Sequence, residues 1–258
     1  MKKILFNKKY SGILWAIILA SIFVGISFGV NHFLKGTVWY IFSSLLRFAF
    51  GFVILAIVKK VYGKSIREVL SGKGSKAALL AGSGFIVFFI YYLIVWCSGI
   101  KSITGLTIGL VISKVFLQQL ATGFYEELNF RVLVIKGYFY GNQNVGNRLL
   151  YGFVSFLIFG AVHVVDGWST YRFLQTGVIG FAFAVMYLKS RNILLPMILH
   201  FVYDIFANLT DYIEWNNSAL FINMNSVFNI MLFVMFLISF IMLLLKRKND
   251  EKEVLLPN

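Results

Sequence analysis

SVFNIMLFVMFLISFIMLLL, residues 226–245, runs without a single charged side chain. At 1.5 Å rise per residue a helix of this kind is about 30 Å long, which is the thickness of a bilayer's hydrocarbon core. It is read as a spanning helix. Working back toward the N-terminus, further apolar runs occupy 12–34, 38–58, 77–97, 115–138, 149–165, 173–189 and 193–209. The expected fold is all-α: a polytopic integral membrane helical bundle of about eight transmembrane helices, with 1–258 as a single membrane domain. The run 12–34 follows Lys2, Lys3, Lys8 and Lys9 as a signal peptide would. It exceeds the usual apolar length of about 7–15 residues and no A-x-A site follows, so it reads as an uncleaved anchor.

Composition agrees with this reading. Of 258 residues, 59% are hydrophobic and only 13% charged, against about 25% in a soluble domain, and the mean hydropathy is +0.82. A soluble cytosolic enzyme is excluded. A net charge of +14 would suit nucleic acid if it formed one patch, but the basic residues stand in clusters between apolar runs, so nucleic acid is not an expected partner. Lys and Arg alternate by loop: eighteen fall before the first run, after the second, fourth and sixth, and after the last, whereas Lys35, Lys101 and Arg172 fall in the other loops. Such asymmetry places both termini in the cytoplasm, and the composition fits a bacterial plasma membrane. The single Cys97 excludes an internal disulfide and a multi-cysteine metal site.

Against this background a few polar residues stand out. Glu126, Glu127, Arg131, His163, His200 and Asp204 lie inside apolar runs. An ionised group at a helix centre costs about 2.5–3.5 kcal/mol, so the set needs partners or a function. Glu127 and Arg131 are i,i+4 in the favourable acid-first order and read as a buried orienting pair. Glu126 has no such partner on its own helix, and an unpaired desolvated carboxyl suits general acid–base work. His200 and Asp204 are also i,i+4, so that the carboxylate can select the imidazole tautomer, or both can face one water or metal; Asn208 continues their stripe. Phe159 and His163 share a face of another helix, and His32 reads as interfacial. Neither H-E-x-x-H, G-x-S-x-G nor a P-loop occurs.

Depth constrains the fourth run. If it began at Ile103, Glu126 would sit near the cytoplasmic face and His163 about 21 Å from that face, and the two could not meet. A start near Lys114, its ammonium snorkelling to the outer boundary, removes most of the mismatch. The glycine-dotted segment 102–113 is therefore expected to be an outer-side or separate helical segment.

The residues resemble the CPBP intramembrane peptidases, the family of CAAX proteases and bacteriocin-processing or immunity proteins. That family's pattern is E-E-x-x-x-R, then F-x-x-x-H on the next helix, then H-x-x-x-(N/D) two helices later. Here these read E-E-L-N-F-R from Glu126 to Arg131, F-G-A-V-H from Phe159 to His163, and H-F-V-Y-D from His200 to Asp204. The resemblance covers about 80 residues, inside a peptidase core expected at 115–209; Val132 stands where a glycine often follows the arginine. It implies an intramembrane endopeptidase acting on short hydrophobic or membrane-associated peptides or proteins. Glu126 and His163 would activate water, His200 and Asp204 would steady the oxyanion, and Glu127, Arg131 and Phe159 would hold the site in shape. An ionised Asp204 would repel an oxyanion, which leaves two routes. Asp204 is protonated or orients a cationic His200, or else Glu126, His163, His200 and Asp204 bind a divalent metal such as zinc. Two other classes compete: a non-catalytic bacteriocin-immunity or other membrane binding protein of the same fold, and a proton- or ion-coupled transporter, for which the repeated halves are missing.

Overall fold

The computed structural model describes residue 7 and residues 11–70, 75–135, 144–216 and 218–245. Ten helices and a two-stranded antiparallel sheet make up these residues: α1 (Ser11–Asn31), α2 (Gly36–Tyr62), the short α3 (Ile66–Val69), α4 (Ser75–Ala81), α5 (Ser83–Gly99), β1 (Ile100–Ile103), α6 (Ile108–Leu133), α7 (Val145–Val162), α8 (Thr170–Ser190), α9 (Leu194–Thr210), β2 (Ile213–Trp215) and α10 (Ser218–Leu244). The fold is an all-α helical bundle with the character of a multi-pass membrane protein. Six of these helices are long and apolar enough to cross a membrane, namely α1, α2, α6, α7, α8 and the Met224–Leu244 part of α10, whereas α5 and α9 are shorter apolar helices. Each of the eight expected runs thus contains helix, but two fall below full spanning length, and the end of the fourth, 136–138, lies outside the described residues. The run expected over 77–97 is divided between α4 and α5 at Gly82, which serves as N-cap of α5.

Helix ends follow local chemistry. Gly63 closes α2 in the left-handed conformation with φ 68°, donating its N–H to the Lys59 carbonyl. Ser65 and Glu68 then form a reciprocal capping box at α3. The Ser65 backbone N–H, 2.7 Å from Glu68 Oε2, holds that exposed carboxyl below its ordinary range. The Asn144 side chain caps α7 and that of Ser169 caps α8.

α8 is the central helix, with every residue from Phe181 to Ser190 buried. Its approach to α7 depends on glycine. A Cβ on Gly180 would meet Phe159 at 2.7 Å, and one on Gly160 would meet the Phe173 carbonyl at 2.8 Å. Small residues at such a seam let backbones close together, the chief source of helix association in lipid. Outward faces remain apolar, as a lipid solvent allows: Phe52, Ile94, Ile198 and Ile230 are all exposed.

The segment 102–113 departs from expectation. Ile100–Ile103 pairs antiparallel with Ile213–Trp215, tying the end of α5 to the end of α9. The Thr107 hydroxyl then accepts from the Leu110 N–H at 3.3 Å and starts α6 at Ile108. Residues 108–113 are therefore the first turns of α6 and not a separate helix. The helix absorbs its glycine and continues through π-helical turns over Val111–Gln118 and again over Leu128–Leu133. Lys114, ~9 Å along α6, has its Nζ 3.6 Å from Asp211 Oδ2 and 3.3 Å from the Tyr212 hydroxyl. That ammonium reaches the end of the bundle where β1 and β2 pair, although α6 begins at Ile108 and not near Lys114 as expected.

Candidate active site

Four helices supply the ionisable cluster: α6 carries Glu126, Glu127 and Arg131, α7 ends at His163, α9 carries His200 and Asp204, and α2 adds Arg47. The Glu127 and Arg131 side chains are fully buried and joined, with Arg131 Nε 3.1 Å from Glu127 Oε2 and its second terminal nitrogen, Nη2, 3.4 Å from Oε1. The expected ion pair is present, and it has a further member. Glu127 Oε1 lies 3.0 Å from His200 Nδ1. A carboxylate only accepts, so this bond fixes a proton on Nδ1 and turns Nε2 toward the remaining acids. The tautomer of His200 is set from α6, and Asp204, expected to set it, stands at the other nitrogen, with Oδ2 3.5 Å from Nε2. Asn208 turns back and donates to the Asp204 carbonyl at 2.8 Å.

Glu126 Oε2 is 3.9 Å from His200 Nε2 and is sealed from solvent without a hydrogen-bond partner. Its side chain keeps 15% exposure and that of Asp204 17%, against 0% for Glu127, so the outer two acids are the reachable ones. His163 caps the end of α7. Its Nδ1 lies 2.7 Å from the Phe159 carbonyl; since a carbonyl cannot donate, Nδ1 carries the proton and Nε2 is left with a free lone pair. Glu126 and His200 are both close enough to act electrostatically on His163. His32 is exposed at the end of α1, outside this cluster.

Phe159 is the packing centre of the cluster. Its ring is 4.4 Å from that of His163 and 5.9 Å from that of His200, and Arg131 Cζ lies 4.5 Å above it. Phe183 completes the wall, 5.6 Å from the His200 ring. A close helix contact sets the distance between α6 and α9: a Cβ on Gly123 would stand 2.9 Å from the Met197 carbonyl and 3.8 Å from His200 Cβ. Sequence reasoning left out Phe183, Gly123 and Arg47, and only Arg47 carried a signal there, as a charge within an apolar run. Its Nη1 donates to the Ser43 hydroxyl, and its Cζ lies 4.7 Å over the Phe23 ring.

Three carboxylates thus meet two guanidiniums and two imidazoles in an apolar interior. Among the described residues, no group of three or more His, Cys, Asp or Glu side chains is gathered closely enough to hold a metal ion. His200 gives one nitrogen to Glu127, and its other nitrogen is 3.5 and 3.9 Å from the nearest acid oxygens. The donors as arranged do not fit a metal.

Residues 107–206 match the family model described as Type II CAAX prenyl endopeptidase Rce1-like. No curated protein and no solved structure matches the chain. The matched segment opens at the Thr107 cap of α6 and ends within α9 just past Asp204, so it contains all three motifs. Over residues 107–206, this chain is similar to the type II CAAX prenyl endopeptidases, a membrane protease family of the CPBP group to which the three motifs pointed.

Proposed function

We propose that the protein is an intramembrane endopeptidase that hydrolyses peptide bonds in short hydrophobic or membrane-associated peptides and proteins, with Glu126 and His163 activating water. The approach of Glu126 to His200 at 3.9 Å, inside a bundle where acids are otherwise rare, is the observation that carries this reading. The match over 107–206 supports a protease, and the peptide bond as its target is our extension.

The residues suit the reaction as follows. Glu126 accepts a proton from a water held between it and the free Nε2 lone pair of His163. The resulting hydroxide attacks the scissile carbonyl carbon. The oxyanion forms beside His200, whose Nε2 donates to it when the ring is doubly protonated between Glu127 and Asp204. Collapse breaks the C–N bond, and Glu126 returns its proton to the leaving amine. The balance is one water consumed, one carboxyl and one amine released. Asp204 acts here by orienting His200, and Glu127, Arg131 and Phe159 hold the frame.

The basic residues flanking alternate runs support cytoplasmic termini in a bacterial plasma membrane. The deciding experiment compares wild type with Glu126→Gln, reconstituted and shown to be folded, on membrane peptides and on cells. Loss of cleavage by about 10²–10⁴-fold is expected of a missing general base. Full biological activity in folded Glu126→Gln protein would replace the peptidase with a binding or immunity protein of the same fold.

A further inference from the structure

We propose that the groove between α8 and α10 is a binding site for one acyl chain of a bilayer glycerolipid, whose ester carbonyl is held by the side chains of Asn229 and Gln175. The site shares no residue with the ionisable cluster and does not depend on the peptidase reading.

Helical spacing builds the groove. Tyr171, Gln175 and Val178 lie on one face of α8 at i, i+4 and i+7, and Asn229, Phe233 and Phe236 repeat that pattern on α10. The two rows line a cavity of about 430 Å³, within the range of small-ligand sites. Phe156 of α7 forms its floor, and a Cβ on Gly177 would stand 2.9 Å from that ring. Leu174 and Phe233 at the rim are exposed, so the groove opens onto the apolar surface of the bundle.

Polarity runs along the groove. At one end the Tyr171 hydroxyl donates to Asn229 Oδ1 at 2.8 Å and joins the two helices. The bond uses the Asn229 oxygen and leaves two donors on its amide nitrogen. Among the described residues, neither that nitrogen nor the Gln175 carboxamide meets a hydrogen-bond partner. Unmet amides are costly where water is scarce, and two of them on facing helices call for an acceptor. The other end, about 10 Å further along, is wholly apolar, closed by Val178, Phe233 and Phe236. Trp168 and Tyr171, both exposed where α8 begins, are the amphipathic aromatics of a membrane boundary. The polar end therefore stands at the depth of glycerol esters, and the apolar end at the depth of their chains.

The donors select the occupant. An ester carbonyl only accepts, and it heads an apolar chain, so it meets both ends of the groove at once. A spanning peptide helix does not, because its carbonyls are bonded within the helix. Arg172, next to Tyr171, is paired with Asp166 at 3.1 Å. Selection thus falls on ester and chain and not on headgroup charge.

The test is native mass spectrometry of the full chain, delipidated in detergent and titrated with three lipids: dioleoyl phosphatidylcholine, dioleoyl phosphatidylglycerol, and the diether analogue of the first, which keeps chains and headgroup but has no carbonyls. Wild type should bind one molecule of either ester, and the diether about tenfold more weakly, the loss expected of two hydrogen bonds. The double variant Asn229→Leu, Gln175→Leu should bind all three at the diether level. Equal binding of ester and diether by wild type, an ester preference that survives in the folded double variant, or a preference set by headgroup charge overturns the proposal. A second arm needs no variant: phosphatidylcholine with a diazirine midway along one chain, photolysed with wild type, should label α8 near Val178 and α10 near Phe233. Labelling spread evenly to other exposed positions, such as Ile94 and Ile198, also overturns it. Cleavage is not measured in either arm, so failure of the peptidase reading leaves both results standing.

Discussion

Glu127 Oε1 stands 3.0 Å from His200 Nδ1, so the carboxylate that braces Arg131 on α6 also sets a histidine on α9. One fully buried acid thus couples two helices through a guanidinium and an imidazole. Losing Arg131 would strand Glu127, and losing Glu127 would strand Arg131 while freeing the His200 ring to rotate.

Replacing Arg131 with Ala is therefore expected to destabilise the protein by about 3–5 kcal/mol, the cost of breaking a buried pair from one side. Glu126→Gln, an isosteric change at a carboxyl without a direct hydrogen-bond partner, should leave folded yield nearly unchanged. Thermal melts of detergent-extracted protein check both, and equal melting temperatures for wild type and Arg131→Ala would count against the pair.

His163 should show the opposite separation. It sits at a helix end, and its side-chain hydrogen bond to the Phe159 carbonyl contributes about 0.5–1.5 kcal/mol. His163→Ala is expected to melt within a few degrees of wild type while cleaving far more slowly. A variant that cleaves at the wild-type rate would leave Glu126 as the sole base.

The helices and the main ionisable residues were legible in the sequence because lipid makes the code simple. An apolar run must be helical to satisfy its backbone, and a charge inside such a run is costly enough to stand out. The pair at Glu127 and Arg131 followed from i,i+4 spacing. The partner of His200 did not, because the same spacing rule favoured Asp204 on its own helix, whereas the α6–α9 crossing brings Glu127 nearer. Spacing along one helix gives no information on such crossings. The start of α6 was missed for a related reason. Two glycines in 102–113 argue against a helix locally, but the Thr107 cap and the long-range pairing of β1 with β2 fix where the chain turns inward.

The α6–α9 crossing itself can be probed at Gly123. A methyl group there meets the Met197 carbonyl at 2.9 Å, and backbone cannot swing aside as a side chain can. Gly123→Ala should cost about 1–3 kcal/mol by overpacking, and it should reduce cleavage beyond what the lost stability explains, since His200 moves with α9. The check is to compare kcat at a temperature where both proteins are fully folded. Unchanged kcat in Gly123→Ala would mean that the Glu126 to His200 spacing tolerates helix separation.

Topology is tested where the β1–β2 sheet meets α6. If both termini are cytoplasmic, the chain emerges at β1 on the outer face, and Lys101, exposed in that strand, is the accessible position. In a Cys97→Ala background, Lys101→Cys should react with a membrane-impermeant thiol reagent applied to intact cells. A cysteine at Arg67, in the short helix α3 on the opposite side of the bundle in this arrangement, should react only after permeabilisation. The two sites separate the alternatives because an inverted chain exchanges their behaviour. Labelling of Arg67→Cys and protection of Lys101→Cys in intact cells would reverse the orientation, and with it the side on which Lys114 pairs with Asp211.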